Sequence, residues 1–243
     1  MPTSEFGQPI GPALPNWTAR PHPPRTSITG RFCRVEPLDA AEHANDLFAS
    51  LGSVRDGRWT YLGYGPFDTR EHFQRWIDES STSVDPLFHA IADPAGTAIG
   101  VAAYMRIDRA NGVIEAGHLN FSAALQRTPA ATEAMYLMLR RAFDELGYRR
   151  FEWKCDSFNE PSRRAAARLG FTYEGLFRQA IVYRQRSRDT TWFSIIDAEW
   201  PARRAAFEAW LARDNFDAAG VQRQPLSAFM PAPTFRYDLQ AGG

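Results

Sequence analysis

Cysteine is scarce in this chain: Cys33 and Cys155 are the only two in 243 residues. Two thiols build neither a disulfide framework nor, by themselves, a four-ligand zinc site. Net charge is absent too, with 28 Lys+Arg against 28 Asp+Glu. That balance gives no general attraction to nucleic acid or to an anionic membrane. No apolar run approaches the roughly 18 residues of a membrane span. The first residues, MPTSEFGQPIGPALP, lack the charged-then-apolar pattern of a secretory signal. Repeats are missing as well. What is present is enough for a core, with 44% hydrophobic and 13% aromatic residues, and this excludes global disorder. The expectation is a reduced, cytoplasmic, soluble protein with no metal and no nucleic-acid or membrane partner.

Seven of the 17 prolines fall in residues 1–24, so this stretch reads as an extended arm. Trp17 within it predicts that the arm is pinned to the body. Pro225, Pro231 and Pro233 punctuate an irregular tail. The division predicted is an arm over 1–30, one domain over 31–199, and a helix with tail over 200–243. Two Trp-bearing terminal segments leave arm exchange between copies, and so an oligomer, open.

Apolar periodicity predicts a strand from Arg31, a helix over 39–51 and a second helix capped by Thr69. Strands follow near 87–92, 98–107 and 113–121, with Asn111-Gly112 marking a hairpin. Thr128-Pro129 reads as cap and first position of a helix stopped by Gly147. Phe151, Trp153 and Cys155 alternate with polar residues as a strand, and Asn159 opens a short helix. Strands are expected near 172–174, 177–184 and 190–196, the last two joined by a charged loop, then a helix over 201–213. Meandering strands before a strand–helix–strand unit predict an α/β domain with a mixed sheet and helices on both faces.

A helix start carries unpaired N–H groups and the positive end of the helix dipole, which suit a phosphate. Small Ala130, Ala131 and Thr132 admit an anion there, and Gln126, Arg127 and Thr128 add donors; a capped helix with nothing bound explains the segment equally well. Arg163, Arg164 and Arg168 crowd the helix after Asn159, either as a solvated face or as partners of a further phosphate. Glu115 and His118 lie on a largely apolar strand, where a shifted group can serve as a base. In regular pleat they face opposite sides. Cys155 fits a packing role better than a nucleophilic one.

Three segments in series carry a resemblance: the strand 113–121, then Gln126-Arg-Thr-Pro-Ala-Ala-Thr-Glu-Ala134, then Asn159-Glu-Pro-Ser162 leading to Arg168-Leu-Gly-Phe-Thr-Tyr-Glu-Gly175. Together they resemble the GNAT superfamily of N-acetyltransferases, and within it the RimJ/RimL-like branch. The resemblance covers 31–196. It implies the GNAT fold and transfer of an acetyl group from acetyl-CoA straight to a primary amine, on a peptide N-terminus or a small molecule.

Carried over residue by residue, the resemblance gives Leu119, Asn120 and Phe121 to the pantetheine and Asn159 to the cofactor arm. The pyrophosphate falls to the loop Gln126 to Thr132; with it there, the arginines of the next helix, Arg164 among them, become candidates for another phosphate of the same ligand. Pro129 stands where the family's loop has its first glycine. Ser162 matches a serine that protonates the leaving thiolate, although a hydroxyl there also suits a helix cap. Ile181 stands where this branch can carry a glutamate, so Glu115 is the first choice of base and His118 the second. The rival reading is a GNAT fold that binds CoA without catalysis. A nucleotide-binding α/β enzyme is disfavoured, since the Gly-rich fingerprints and phosphate-loop lysine are missing.

Overall fold

The computed structural model describes residues 2–53 and 55–232; Pro233 and the end of the tail lie outside them. Among the described residues eight strands form one sheet: β1 Ile28–Thr29, β2 Arg34–Pro37, β3 Leu87–Ala92, β4 Ala98–Asp108, β5 Val113–Phe121, β6 Arg150–Asp156, β7 Thr172–Tyr183 and β8 Arg186–Ile196. Their order across the sheet is β1-β2-β3-β4-β5-β6-β8-β7. Every neighbouring pair is antiparallel except β5 with β6.

Five α-helices among the described residues cover the two faces: α1 Ala40–Leu47, α2 Arg70–Thr82, α3 Pro129–Arg140, α4 Glu160–Arg168 and α5 Trp200–Leu211. Their starts follow local chemistry. Asp39 accepts from the amides of Ala41 and Glu42, and Thr69 from that of His72. Thr128 caps α3 with Pro129 at its first turn, where a missing N–H costs nothing. Both α1 and α3 widen into π-type turns at their ends, over Phe48–Gly52 and Arg141–Glu145. On one face α3, α4 and α5 enclose a core containing Leu139, Phe151, Phe171 and Phe207. On the other, α1 and α2 cover Phe88, Val101 and Ala103 with Leu47, Phe73 and Ile77. This is the mixed α/β sheet with helices on both faces that the periodicity predicted.

Two expectations need correction. The strands predicted at 172–174 and 177–184 are one strand, β7, with register shifts at Tyr173/Gly175 and Phe177/Ile181. The bulges broke the alternation that the sequence reading relied on. The charged loop after it is a tight two-residue turn, Arg184-Gln185, with φ of 47° and 59°, the backbone that joins twisted antiparallel strands.

The N-terminal arm is held where its tryptophan falls. Trp17 Nε1 donates to the Ala110 carbonyl at 2.7 Å, and the Arg20 guanidinium lies 4.1 Å over its ring. The indole rests on Gly112, where an added Cβ would come within 2.6 Å of the ring.

Candidate active site

The parallel pair β5–β6 is joined only from Val113–Arg150 to Ala116–Trp153. Beyond that register both strands continue, to Phe121 and Asp156, and among the described residues they no longer pair with each other. A bulge coincides with the parting. Val101 pairs with Asn120 and Ala103 with Gly117, and His118 takes φ of 52°. The sheet therefore opens on one side of β5 while β4 holds the other.

Two cavities flank the opening, and Trp153 lines both. One, about 430 Å³, lies under the loop that follows α1 and includes Tyr61, Glu115, His118, Leu119, Asn159, Ser162 and Ile181. The other, about 810 Å³, runs between the starts of α3 and α4 and includes Phe121, Gln126, Arg127, Thr128, Ala131, Thr132, Arg164 and Arg168. Asn120 and Ala130 line neither. The Asn120 side chain is buried, and among the described residues its Oδ1 and Nδ2 have no hydrogen-bond partner.

At the start of α3, Thr128 Oγ1 accepts the Ala131 N–H at 3.3 Å. The left-handed turn of this loop falls on Arg127, with φ of 61°, so Pro129 need supply none. Gln126 turns its amide back onto the Phe121 carbonyl at 2.7 Å. Of the three arginines on α4, Arg163 donates to the Ser157 carbonyl and exposed Arg164 pairs with Glu160 at 3.0 Å. Arg168 reaches across the groove to Thr132 Oγ1 at 3.1 Å. Among the described residues it has no carboxylate within ion-pair distance. Arg168, rather than Arg164, is the cation brought to the α3 start.

Asn159 caps α4 by accepting the Ser162 N–H at 3.2 Å, which leaves the Ser162 hydroxyl free of that duty. Ser162 Oγ instead accepts the Trp153 indole N–H at 2.9 Å. Among the described residues no acceptor takes its own proton, and Ser162 lines the cavity.

Glu115 and His118 face the same cavity, contrary to regular pleat, because the bulge at His118 turns that side chain over. Its imidazole lies 5.5 Å from the Tyr64 ring and 4.8 Å from that of Phe88. Burial pulls its pKa down to about 4, so the ring is neutral at pH 7. Glu115 is buried beside the Lys154 ammonium at 3.0 Å and the Arg106 guanidinium at 3.5 Å. Burial pushes its carboxyl above the ordinary range, and the two cations oppose that rise. Lys154 also meets Glu152 at 2.6 Å and lies 3.7 Å over the Trp192 ring. The sequence reading passed over Lys154 and the contact of Trp153 with Ser162. Lys154 is the chain's single lysine, between the apolar positions of its strand, and its place beside Glu115 comes from the pairing of β5 with β6. Cys155 is buried with Sγ 3.1 Å from Thr191 Oγ1, a packing role.

A sheet parted between two parallel strands, with a cationic groove on one side and a buried carboxylate on the other, is a site built for an elongated anionic ligand beside a candidate base. The family model described as acetyltransferase (GNAT) domain matches residues 34–172. A GCN5-related N-acetyltransferase from Brucella melitensis is similar at 52% identity, covering 89% of this chain and 99% of its own, with a TM-score of 0.86. A GNAT-family acetyltransferase structure from Chromobacterium violaceum is 42% identical over 80% of this chain and 98% of its own, with a TM-score of 0.75. A microcin C7 self-immunity acetyltransferase, solved with acetyl-CoA and AMP, shares the fold at 21% identity over 69% of this chain and 93% of its own, with a TM-score of 0.61. No curated protein matches the chain. This chain belongs to the GNAT family and is an acetyltransferase.

Proposed function

We propose that the protein moves an acetyl group from acetyl-CoA to a primary amine, on a peptide N-terminus or a small molecule, as in the RimJ/RimL-like branch. The donor supplies an activated acetyl thioester. The observation that carries this reading is the parting of β5 from β6 between two cavities that share Trp153.

The chain's residues fit the donor. The groove at the α3 start offers helix-end amides and an Arg168 guanidinium with no acid partner among the described residues, both suited to phosphates. The unpaired edge of β5 from Gly117 to Phe121 offers backbone groups to an extended, amide-bearing arm. Ser162, polarised by the Trp153 indole at 2.9 Å, is placed to give its proton to the departing sulfur. Glu115 takes the proton of the amine through water, and Lys154 and Arg106 oppose the rise that burial gives its pKa. His118, with its pKa near 4, is too weak a base to compete. Backbone N–H groups of the parted strand face the acetyl oxygen.

Ile181 in the smaller cavity, in place of the branch's glutamate, favours the rival reading of a CoA-binding protein without catalysis. Thiol release from acetyl-CoA over a panel of amines and peptides separates the two. The expected outcome is amine-dependent release, with Glu115→Gln lowering kcat/KM by about 10²–10⁴-fold, most in the window above the carboxyl's raised pKa and below that of the amine, and CoA affinity unchanged. Tight CoA binding with no turnover anywhere in the panel supports the rival. A Glu115→Gln enzyme at wild-type rate across the pH range removes Glu115 from the mechanism.

A further inference from the structure

The smaller cavity has as its floor one face of the sheet. Register puts Lys154 opposite Trp192 and Asp156 opposite Thr190, so side chains at alternate positions of β6 and β8 share that face. Arg188 lies two residues further along β8 and lines the same cavity.

The cations of this wall are unequal. Arg58 is committed to Asp56 through two contacts of 2.8 Å. Lys154 is shared by Glu115 and Glu152, and Arg106 is 3.5 Å from Glu115. Asp156 is spent on the Tyr183 hydroxyl at 3.0 Å and the Phe158 amide at 2.9 Å. Arg188 donates Nε to Thr190 Oγ1 at 3.1 Å, and Thr190 is buried. Among the described residues no carboxylate lies within ion-pair distance of Arg188. Its guanidinium is half-buried and oriented by a fixed hydroxyl, with its outer nitrogens left for an anion to engage in a bidentate fork.

Position sets the geometry of that anion. The strands part just after Ala116 and Trp153, so transfer falls level with Lys154 and Trp192. Arg188 is four residues from Trp192, about 13 Å along the strand, and its guanidinium leans back toward Thr190, which places it on the order of 10 Å from that level. Resting on the acetyl-transfer reading above, we propose that the acceptor carries a carboxylate on the order of 10 Å from its amine, held by Arg188. A tripeptide with a free C-terminus spans such a distance, at about 3.3–3.6 Å per residue, as does an ω-amino acid. Free α-amino acids are too short, and polyamines bring no anion.

The test uses triglycine against triglycinamide, and 6-aminohexanoate against its amide, with 6-aminohexyl phosphate as a separate arm. Thiol release from acetyl-CoA is measured for the wild type and Arg188→Gln. Binding of N-acetyltriglycine and its amide is measured by calorimetry with CoA present. The expected result is a preference of about tenfold or more in kcat/KM for carboxylate over amide. That preference lies in KM, disappears in Arg188→Gln and weakens with added salt. In that variant the amide substrates keep the wild-type kcat. Matching Arg188-dependent binding of N-acetyltriglycine supports the proposal even where turnover is slow. Equal rates for acid and amide overturn it while leaving acetyl transfer standing, as does a preference that survives Arg188→Gln. A preference confined to the phosphate arm overturns the carboxylate assignment. If no probe turns over and none binds through Arg188, the proposal fails, and CoA binding measured alone then reports on the acetyl-transfer reading.

Discussion

Ser162 sits in the first turn of α4 with two separable features: its backbone N–H is taken by Asn159 and its hydroxyl by Trp153. That division turns the sequence-level ambiguity between cap and acid into two distinct mutants. Ser162→Ala keeps the cap, so it should lower turnover by about 10²–10⁴-fold with little change in melting. Asn159→Ala removes the cap and should cost about 0.5–2 kcal/mol of stability. Melting and steady-state kinetics on the same preparations decide the matter; a Ser162→Ala enzyme that melts early yet turns over normally assigns the hydroxyl to structure. The sequence named both residues because Asn-Glu-Pro-Ser is a local signal. It did not name Lys154, whose place beside Glu115 depends on the pairing of two strands separated by a helix. Nor did it assign Arg168 over Arg164, since the two share a helix face and only Thr132, from another element, tells them apart.

At the scale of elements, the loop after α1 roofs the smaller cavity and is tied down from across it. Tyr61 donates its hydroxyl to the Phe158 carbonyl at 3.0 Å, and Arg184, at the tip of the β7–β8 hairpin, donates to the carbonyls of Tyr64 and Gly65. Arg184→Ala should therefore raise KM for the amine several-fold, leaving CoA affinity as it was. Equal rises for amine and CoA would show that the tie serves the fold as a whole. Helices α2, α3 and α4 were legible because caps and periodicity are local. Strands β3 and β4 were legible as apolar runs buried on both faces and split by a turn, and β6 by the alternation of Phe151, Trp153 and Cys155 with polar residues. What failed was the pleat at bulges. One extra residue at His118 turned a side chain to the other face, and two register shifts in β7 hid a twelve-residue strand. Bulges are fixed by pairing partners, which a single strand's pattern does not contain.

For the molecule as a whole, buried histidine sets a limit in acid. His89 is fully buried between the sheet and α3's face, and burial brings its pKa from the ordinary 6.5 to about 4. The unfolded chain binds a proton at this site below about pH 6.5, while the native state resists until about pH 4. Its contribution is thus intact at neutral pH and is lost as pH falls through that window, up to about 3 kcal/mol. A melting series from pH 7 to pH 4 should show a steep decline that His89→Gln flattens; parallel curves for the two proteins would assign the decline to other groups. The account as a whole turns on the donor groove at the start of α3, and one measurement addresses it without knowledge of the acceptor. Ligand at 100 times its Kd adds about 2.7 kcal/mol to the stability of a protein that binds it. Ala131 lines the groove one turn into α3, so an aspartate there sets a carboxylate where a phosphate must lie, in a turn that tolerates acidic side chains. Melting of the wild type and of Ala131→Asp, each with and without CoA, should show a large upward shift in the first and almost none in the second. A variant that folds and still gains the full shift with CoA contradicts the placement of the donor, and with it the central claim.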